Sequence, residues 1–163
     1  MNKLTNYFKR NFIYYIIALA VLALDLITKF LLTNKHIVII ENVISFSYSQ
    51  NTGAAFSMFS NNTLMLIIIS LFLIAGIVLF KFLAKPKKHI LFTIAYPLIL
   101  GGALGNLYDR IFLGYVRDFV SLDFINFAIF NLADSALCIG FALFAIYITF
   151  IGLEQKENTK KTN

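Results

Sequence analysis

The chain has no tryptophan, one cysteine, two prolines and two histidines, and only 13% of its 163 residues are charged. A single cysteine, Cys138, excludes an intramolecular disulfide framework and a Cys-rich zinc site. The two histidines, His36 and His89, stand far apart and no His-Glu-x-x-His occurs, which argues against a helix-borne metalloprotease centre. No Gly-x-Ser-x-Gly elbow, Walker motif or dinucleotide fingerprint appears. No internal repeat or low-complexity tract stands out. The charged share is about half the ~25% of an ordinary soluble domain.

What is present in excess is apolar. Hydrophobic residues make up 60% of the chain, with 18 Phe and 8 Tyr. A soluble fold of this size exposes too much of its area to hide that surface. A soluble enzyme, a disordered chain and a nucleic-acid module are therefore poor readings. A helix crossing the hydrocarbon core needs about 20 mostly apolar residues. Four segments qualify, with spans at about 12–32, 64–84, 90–109 and 133–153. Backbone groups in lipid must be satisfied internally, so these runs are expected to be helices. The first run has a basic start, but it is long for a signal-peptide core and no Ala-x-Ala-like exit follows. It is read as a retained span.

Ten of the fourteen basic residues fall in three places: Lys3, Lys9 and Arg10 before span one; Lys81, Lys85, Lys87 and Lys88 around the link between spans two and three; and Lys156, Lys160 and Lys161 in the polar tail 154–163. With four spans these share one side, which is then cytoplasmic, with both termini inside. The acids Glu41, Asp109, Asp118, Asp123 and Asp134 gather on the other side. The formal charge of +6 is thereby explained by topology, and no nucleic-acid partner is implied.

The segment 33–63 is too long for a plain connection. His36 to Ile40 is β-branched and apolar, and Ile44, Phe46 and Tyr48 alternate with serines. These read as two strands joined by a turn at Glu41-Asn42. Within 109–134, Tyr115 to Leu122 reads as a further strand. The expected architecture is an all-α integral membrane protein: four transmembrane helices with a small extracytoplasmic β unit, in a single membrane domain.

Ionisable groups at membrane depth are costly, so each is a functional candidate. Asp25 and Lys29 are four apart and can pair on one helix face, or Lys29 can snorkel to the interface. Asn106 and Arg110 share a face of span three, where Gly101 and Gly105 have small-xxx-small spacing suited to close helix packing. Asp118 lies in the third strand segment and Asp134 at the mouth of span four, where Asn131 can cap the helix. Two carboxylates brought within a few Å cannot easily both ionise. One can then hold a proton while the other draws one from water, the aspartic-protease arrangement. The bland alternative is a helix-start acid and a solvated loop acid. Cys138 is expected to be a buried small apolar group, and a Ser135–Lys29 nucleophile pair is the weaker reading.

Taken together, Asp25-Leu-Ile-Thr-Lys29, Asn51-Thr-Gly-Ala-Ala-Phe56, Gly101-Gly-Ala-Leu-Gly-Asn-Leu-Tyr-Asp-Arg110, Val116-Arg-Asp-Phe119 and Phe130-Asn-Leu-Ala-Asp134 form an ordered set. In this the chain resembles the lipoprotein signal peptidases, the type II signal peptidases of bacteria. The resemblance implies a membrane aspartyl endopeptidase of the bacterial cell membrane. It would remove the signal peptide from prolipoproteins carrying diacylglycerol on a cysteine, cutting before that cysteine. Asp118 and Asp134 match the catalytic aspartates. Asn51, Gly53, Asn106, Arg110 and Asn131 match substrate-binding or dyad-holding positions. Asp25, Lys29, Asp109, Gly101 and Gly105 match structural ones. No metal, cofactor or oligomeric partner is implied; the partners are the lipid-modified substrate and membrane lipids. The β unit, with Phe56 and Phe119, is expected to clamp substrate. The rival classes are a small multispan transporter, which would want acids near the bilayer midplane, and a noncatalytic assembly factor.

Overall fold

The computed structural model describes residues 3–53, 62–86 and 88–152. Residues 54–56 of the Asn51 motif, Lys87, the tail 154–163 and the side chains of Lys3, Lys9 and Arg10 lie outside the described residues. The order is α1 (Lys3–Leu32), β1 (His36–Ile40), β2 (Ile44–Asn51), α2 (Thr63–Ala84), α3 (Ile90–Leu113), β3 (Val116–Leu122) and α4 (Leu132–Ile146), which continues as a π-helical turn, Tyr147–Gly152. Four helices are long and apolar enough to cross a membrane. At 1.5 Å per residue, the 22 residues of α2 span about 33 Å, against roughly 30 Å of hydrocarbon.

Local chemistry sets the helix ends. Asn62 caps α2 by accepting the Met65 N–H, and the chain leaves it through Lys85 in a left-handed conformation, one residue before Pro86. His89 caps α3 through its ring nitrogen, 3.2 Å from the Leu91 amide. Gly114, at φ +81°, ends α3 where a side chain would be strained.

The contacts give the directions. Tyr14 near the start of α1 meets Phe92 and Tyr96 near the start of α3, and Lys29 near its end meets Asn106. So α1 and α3 run parallel. Phe80 of α2 and Phe144 of α4 both meet Phe92, so α2 and α4 run the other way. The third helix is central: 67% of its span is buried, against 11–17% for the others. Pro97 lies inside it without ending it. In lipid, apolar side chains gain little by leaving the tails, so helices must be held by close packing. Glycines provide it. A Cβ on Gly101 would meet the Ala18 carbonyl at 2.6 Å, and one on Gly102 the Ala133 carbonyl at 2.6 Å. Gly140 of α4 has Ile99 in the same position.

At one end of the bundle lies a three-stranded antiparallel sheet in the order β1-β2-β3. The tight turn between β1 and β2 passes through Asn42 at φ +58°, closed by the Val43 N–H on the Ile40 carbonyl. A bulge between Phe46 and Ser49 shifts the β2–β3 register, so that Asn51 pairs with Val116 and Ser49 with Asp118. Phe130, just before α4, bridges back to Val120.

Two expectations are corrected by this packing. Lys81, counted with the basic residues of the link between spans two and three, is not part of that link. It lies within α2, buried, with its ammonium 3.6 Å from the Tyr14 ring centroid and 4.3 Å from that of Tyr96. Phe119 is not an exposed clamp residue; it is buried and packs edge-on against Phe46.

Candidate active site

The sheet and the helix bundle meet at the two aspartates. Asp118 is the third residue of β3 and is 2% exposed. The shifted register places Asn51, two residues diagonally across on β2, against it: Asn51 Nδ2 donates to Asp118 Oδ2 at 2.9 Å. Asp134 is in the first turn of α4. Asn131 caps that helix with a reciprocal capping box: its Oδ1 accepts the Asp134 N–H at 2.9 Å, and Asp134 Oδ2 accepts the Asn131 N–H at 3.1 Å.

Asn131 also ties the two acids together. Its Nδ2 donates to Asp118 Oδ1 at 2.6 Å and to Asn106 Oδ1 at 3.1 Å. Asn106 in turn donates to Asp134 Oδ1 at 2.7 Å. Each carboxylate therefore accepts two donors. Burial pushes the Asp118 carboxyl up from 3.8 to about 7; the charge of Asp134 adds to this, and the donors from Asn51 and Asn131 oppose it. The acids, sixteen positions apart in sequence, are thus brought into one electrostatic unit.

Arg110, one turn beyond Asn106 on α3, feels both carboxylates and donates from Nη2 to the Gly53 carbonyl at 3.1 Å. Gly53 is also held by its own N–H on Asn51 Oδ1, at 2.9 Å. The segment after β2 is thereby fastened to the same centre. Beside this centre lies a cleft of about 680 Å³ between α2, α3, α4 and the segment before α4, lined by Asp134 but not by the more deeply set Asp118. Asn51, Asn106, Arg110 and Asp134 form its polar side, while Leu73, Phe127 and Ile139 contribute apolar walls.

Behind the acids lies a second charged group. Lys29 Nζ is 2.8 Å from Asp25 Oδ2 and 3.5 Å from Asp109 Oδ2, all three side chains fully buried. Lys29 does not snorkel. Asp109 is also held by Arg117, Nη2 to Oδ1 at 2.7 Å. The hydrogen bonds that Arg117 donates to Asp109, together with the charge of that carboxylate, raise the Arg117 guanidinium further above its usual range. Gly105 packs against this cluster: a Cβ there would collide with Asp25 Oδ2.

The structure thus brings Asn51, Gly53, Asn106, Arg110, Asp118, Asn131 and Asp134 together, with Asp25, Lys29 and Asp109 directly behind them. Ser135 does not face Lys29; its hydroxyl donates to the Asn131 carbonyl within its own helix. Cys138 is exposed and borders the cleft, contrary to its expected burial. It lies two residues from both Ala136 and Gly140, which face the bundle, and about 100° per residue turns it away from them. Sequence reading assigned no role to Arg117 or to Phe127; the pairing of Arg117 with Asp109 across eight residues had no local signal.

Residues 17–150 match the family profile of signal peptidase (SPase) II. The chain belongs to the signal peptidase II family. This is an aspartic-type peptidase family. The lipoprotein signal peptidase of Lactobacillus johnsonii is 42% identical over 144 residues, covering 85% of this chain and 93% of that protein. That of Halalkalibacterium halodurans is 39% identical over 157 residues, covering 91% and 98%. Among solved structures, a bacterial membrane enzyme determined by the in meso method at 2.3 Å superposes with a TM-score of 0.74 at 29% identity, covering 85% of this chain and 87% of that one. A second, at 1.9 Å, gives 0.71 at 29% identity, with 83% and 91% covered. This signal peptidase II chain therefore shares its fold, over more than four-fifths of its length, with those two membrane enzymes.

Proposed function

We propose that this chain removes the signal peptide from diacylglyceryl-modified prolipoproteins, cutting before the modified cysteine, with Asp118 and Asp134 as the catalytic pair. The observation that carries the reading is Asn131, which holds one carboxylate by its side chain and the other by its backbone, the second of them, Asp134, lining a largely apolar cleft. Such a cleft suits a substrate that is part peptide and part lipid.

In this proposal Asp118, buried and pushed up to about 7, carries the proton. Asp134, in the first turn of α4 with two donors on it, is the anion that takes a proton from water. The water oxygen bonds to the scissile carbonyl carbon as Asp118 protonates the carbonyl oxygen. Collapse of the tetrahedral diol breaks the C–N bond: Asp134 passes its proton to the leaving amine, while a diol hydroxyl returns one to Asp118 as the carboxyl C=O forms. Arg110 and Asn51 hold the segment around Gly53, whose edge is placed to align the substrate backbone. The site end of the bundle faces the outer surface, and both termini are cytoplasmic. Supporting that orientation, Lys81, Lys85, Lys88 and the start of α3 lie at the opposite end.

The test is cleavage of a purified lipid-modified prolipoprotein. Asp118→Asn and Asp134→Asn should each abolish it while the protein remains folded in detergent. Normal turnover by either variant removes that residue from the chemistry.

A further inference from the structure

We propose that the buried Asp25–Lys29 pair is a positioning device for Asp134, in which Lys29 decides which way the Asn106 side-chain amide faces. This rests on reading Asp134 as a member of the catalytic pair.

An ammonium has only donors to offer, so the end of the Asn106 amide that faces Lys29 must be the oxygen. Lys29 Nζ lies 2.9 Å from Asn106 Oδ1, and Asn131 Nδ2 donates to the same oxygen at 3.1 Å. With Oδ1 committed to two donors, Asn106 Nδ2 points the other way and donates to Asp134 Oδ1 at 2.7 Å. Turned by 180°, the amide would set N–H against ammonium and oxygen against carboxylate. Lys29 thus transmits its polarity through Asn106 without touching Asp134.

The partner residue acts from the other side. Asp25 Oδ1 accepts the Ala133 N–H at 2.9 Å, the amide next to Asp134 along the chain. One turn of α1 therefore grips both the start of α4 and the side-chain donor to Asp134. Stability alone does not account for this arrangement, because a buried ion pair roughly breaks even against apolar residues of the same shape. The local charges also balance: Lys29 with Asp25, and Arg117 with Asp109. A neutral replacement of the first pair also removes the longer Lys29–Asp109 contact, but leaves Asp109 its 2.7 Å partner Arg117.

The experiment is a double-mutant cycle on cleavage of a lipid-modified prolipoprotein. Asp25→Asn/Lys29→Met keeps size and charge balance but removes the donor to Asn106. Expected is a fall in kcat of about 10- to 100-fold with KM within about 2-fold, as for a misplaced catalytic group. In an Asn106→Ala background the same pair of changes should cost less than about 3-fold, because the route through Asn106 is already cut. An equal cost in both backgrounds, or a rise in KM with kcat unchanged, overturns the proposal. Asp25→Asn/Lys29→Gln keeps a shorter donor and should cost only about 3- to 10-fold, again vanishing without Asn106. Should the Met version fail to fold, the Gln version decides by the same criterion. Wild-type cleavage separates the two levels: no turnover of the substrate sinks the functional reading, whereas turnover with additive costs sinks only the role of Lys29.

Discussion

Asn131 and Asp118 meet at 2.6 Å, amide nitrogen to carboxylate oxygen, and the same asparagine caps the helix that carries Asp134. The two duties can be separated. Serine caps a helix nearly as well as asparagine but cannot reach Asp118. Asn131→Ser should therefore unfold within about 1 kcal/mol of wild type yet lose about 100-fold or more in kcat, as for removal of a preorganised donor. Thermal unfolding in detergent and steady-state cleavage measure the two effects. Full activity in the serine variant would show that the contact with Asp118 is dispensable.

The raised Asp118 carboxyl has a consequence for stability whose sign is fixed. Its value is 3.8 when free and about 7 in the fold, so the folded state holds a proton that the unfolded chain releases. Stability from this group is present at low pH and is lost as pH rises from about 4 to about 7. Asp118→Asn cannot ionise and lacks this dependence. The unfolding midpoint of the variant, relative to wild type, should therefore climb across that window. A constant difference would place Asp118 near its ordinary value. Cleavage by the wild type should also decline on the alkaline side with a midpoint near 7, a property of the pair rather than of one residue.

Much of this centre could be read in advance because polar residues are scarce here and each is conspicuous. Asp118, Asp134, Asn131 and Asn106 stand out against apolar neighbours, and alternation from Ile44 to Tyr48 betrays β2. What stayed hidden depends on helix phase and distant packing. Lys81 sits beside a lysine-rich link, and only the approach of α1 and α3 shows that Tyr14 and Tyr96 enclose it. Cys138 points into the cleft because Ala136 and Gly140 take the face toward the bundle. The partnership of Lys29 with Asn106, 77 residues away, follows from the bundle and from no local pattern.

Arg110 shows why guanidinium geometry matters in this centre. It reaches the Gly53 carbonyl while remaining within the field of both aspartates. Lysine keeps the charge but has a point-like head and no fork. Arg110→Lys should lower kcat/KM by about 10-fold, mostly through KM, since the segment around Gly53 loses its tether. Unchanged kinetics would reduce Arg110 to packing.

Two glycines in neighbouring helices make opposite predictions from the same substitution. Gly76 lies in α2, and a Cβ added there meets nothing within 4 Å. Alanine at that position removes backbone freedom from the unfolded chain and should raise stability by about 0.5–1 kcal/mol. Gly105 lies in α3, where the same Cβ would run into Asp25 Oδ2, with the Ala133 Cβ at 3.4 Å beyond it. The carboxylate cannot withdraw, because Oδ2 faces Lys29 and Oδ1 holds the Ala133 amide. Gly105→Ala should therefore cost about 1–3 kcal/mol by overpacking and reduce cleavage along with stability, because the start of α4 shifts with Asp25. Thermal unfolding of the two variants side by side, with cleavage measured on the folded fraction, tests this. A Gly105→Ala protein as stable and active as Gly76→Ala would mean that α1 and α3 are not pressed together at Asp25.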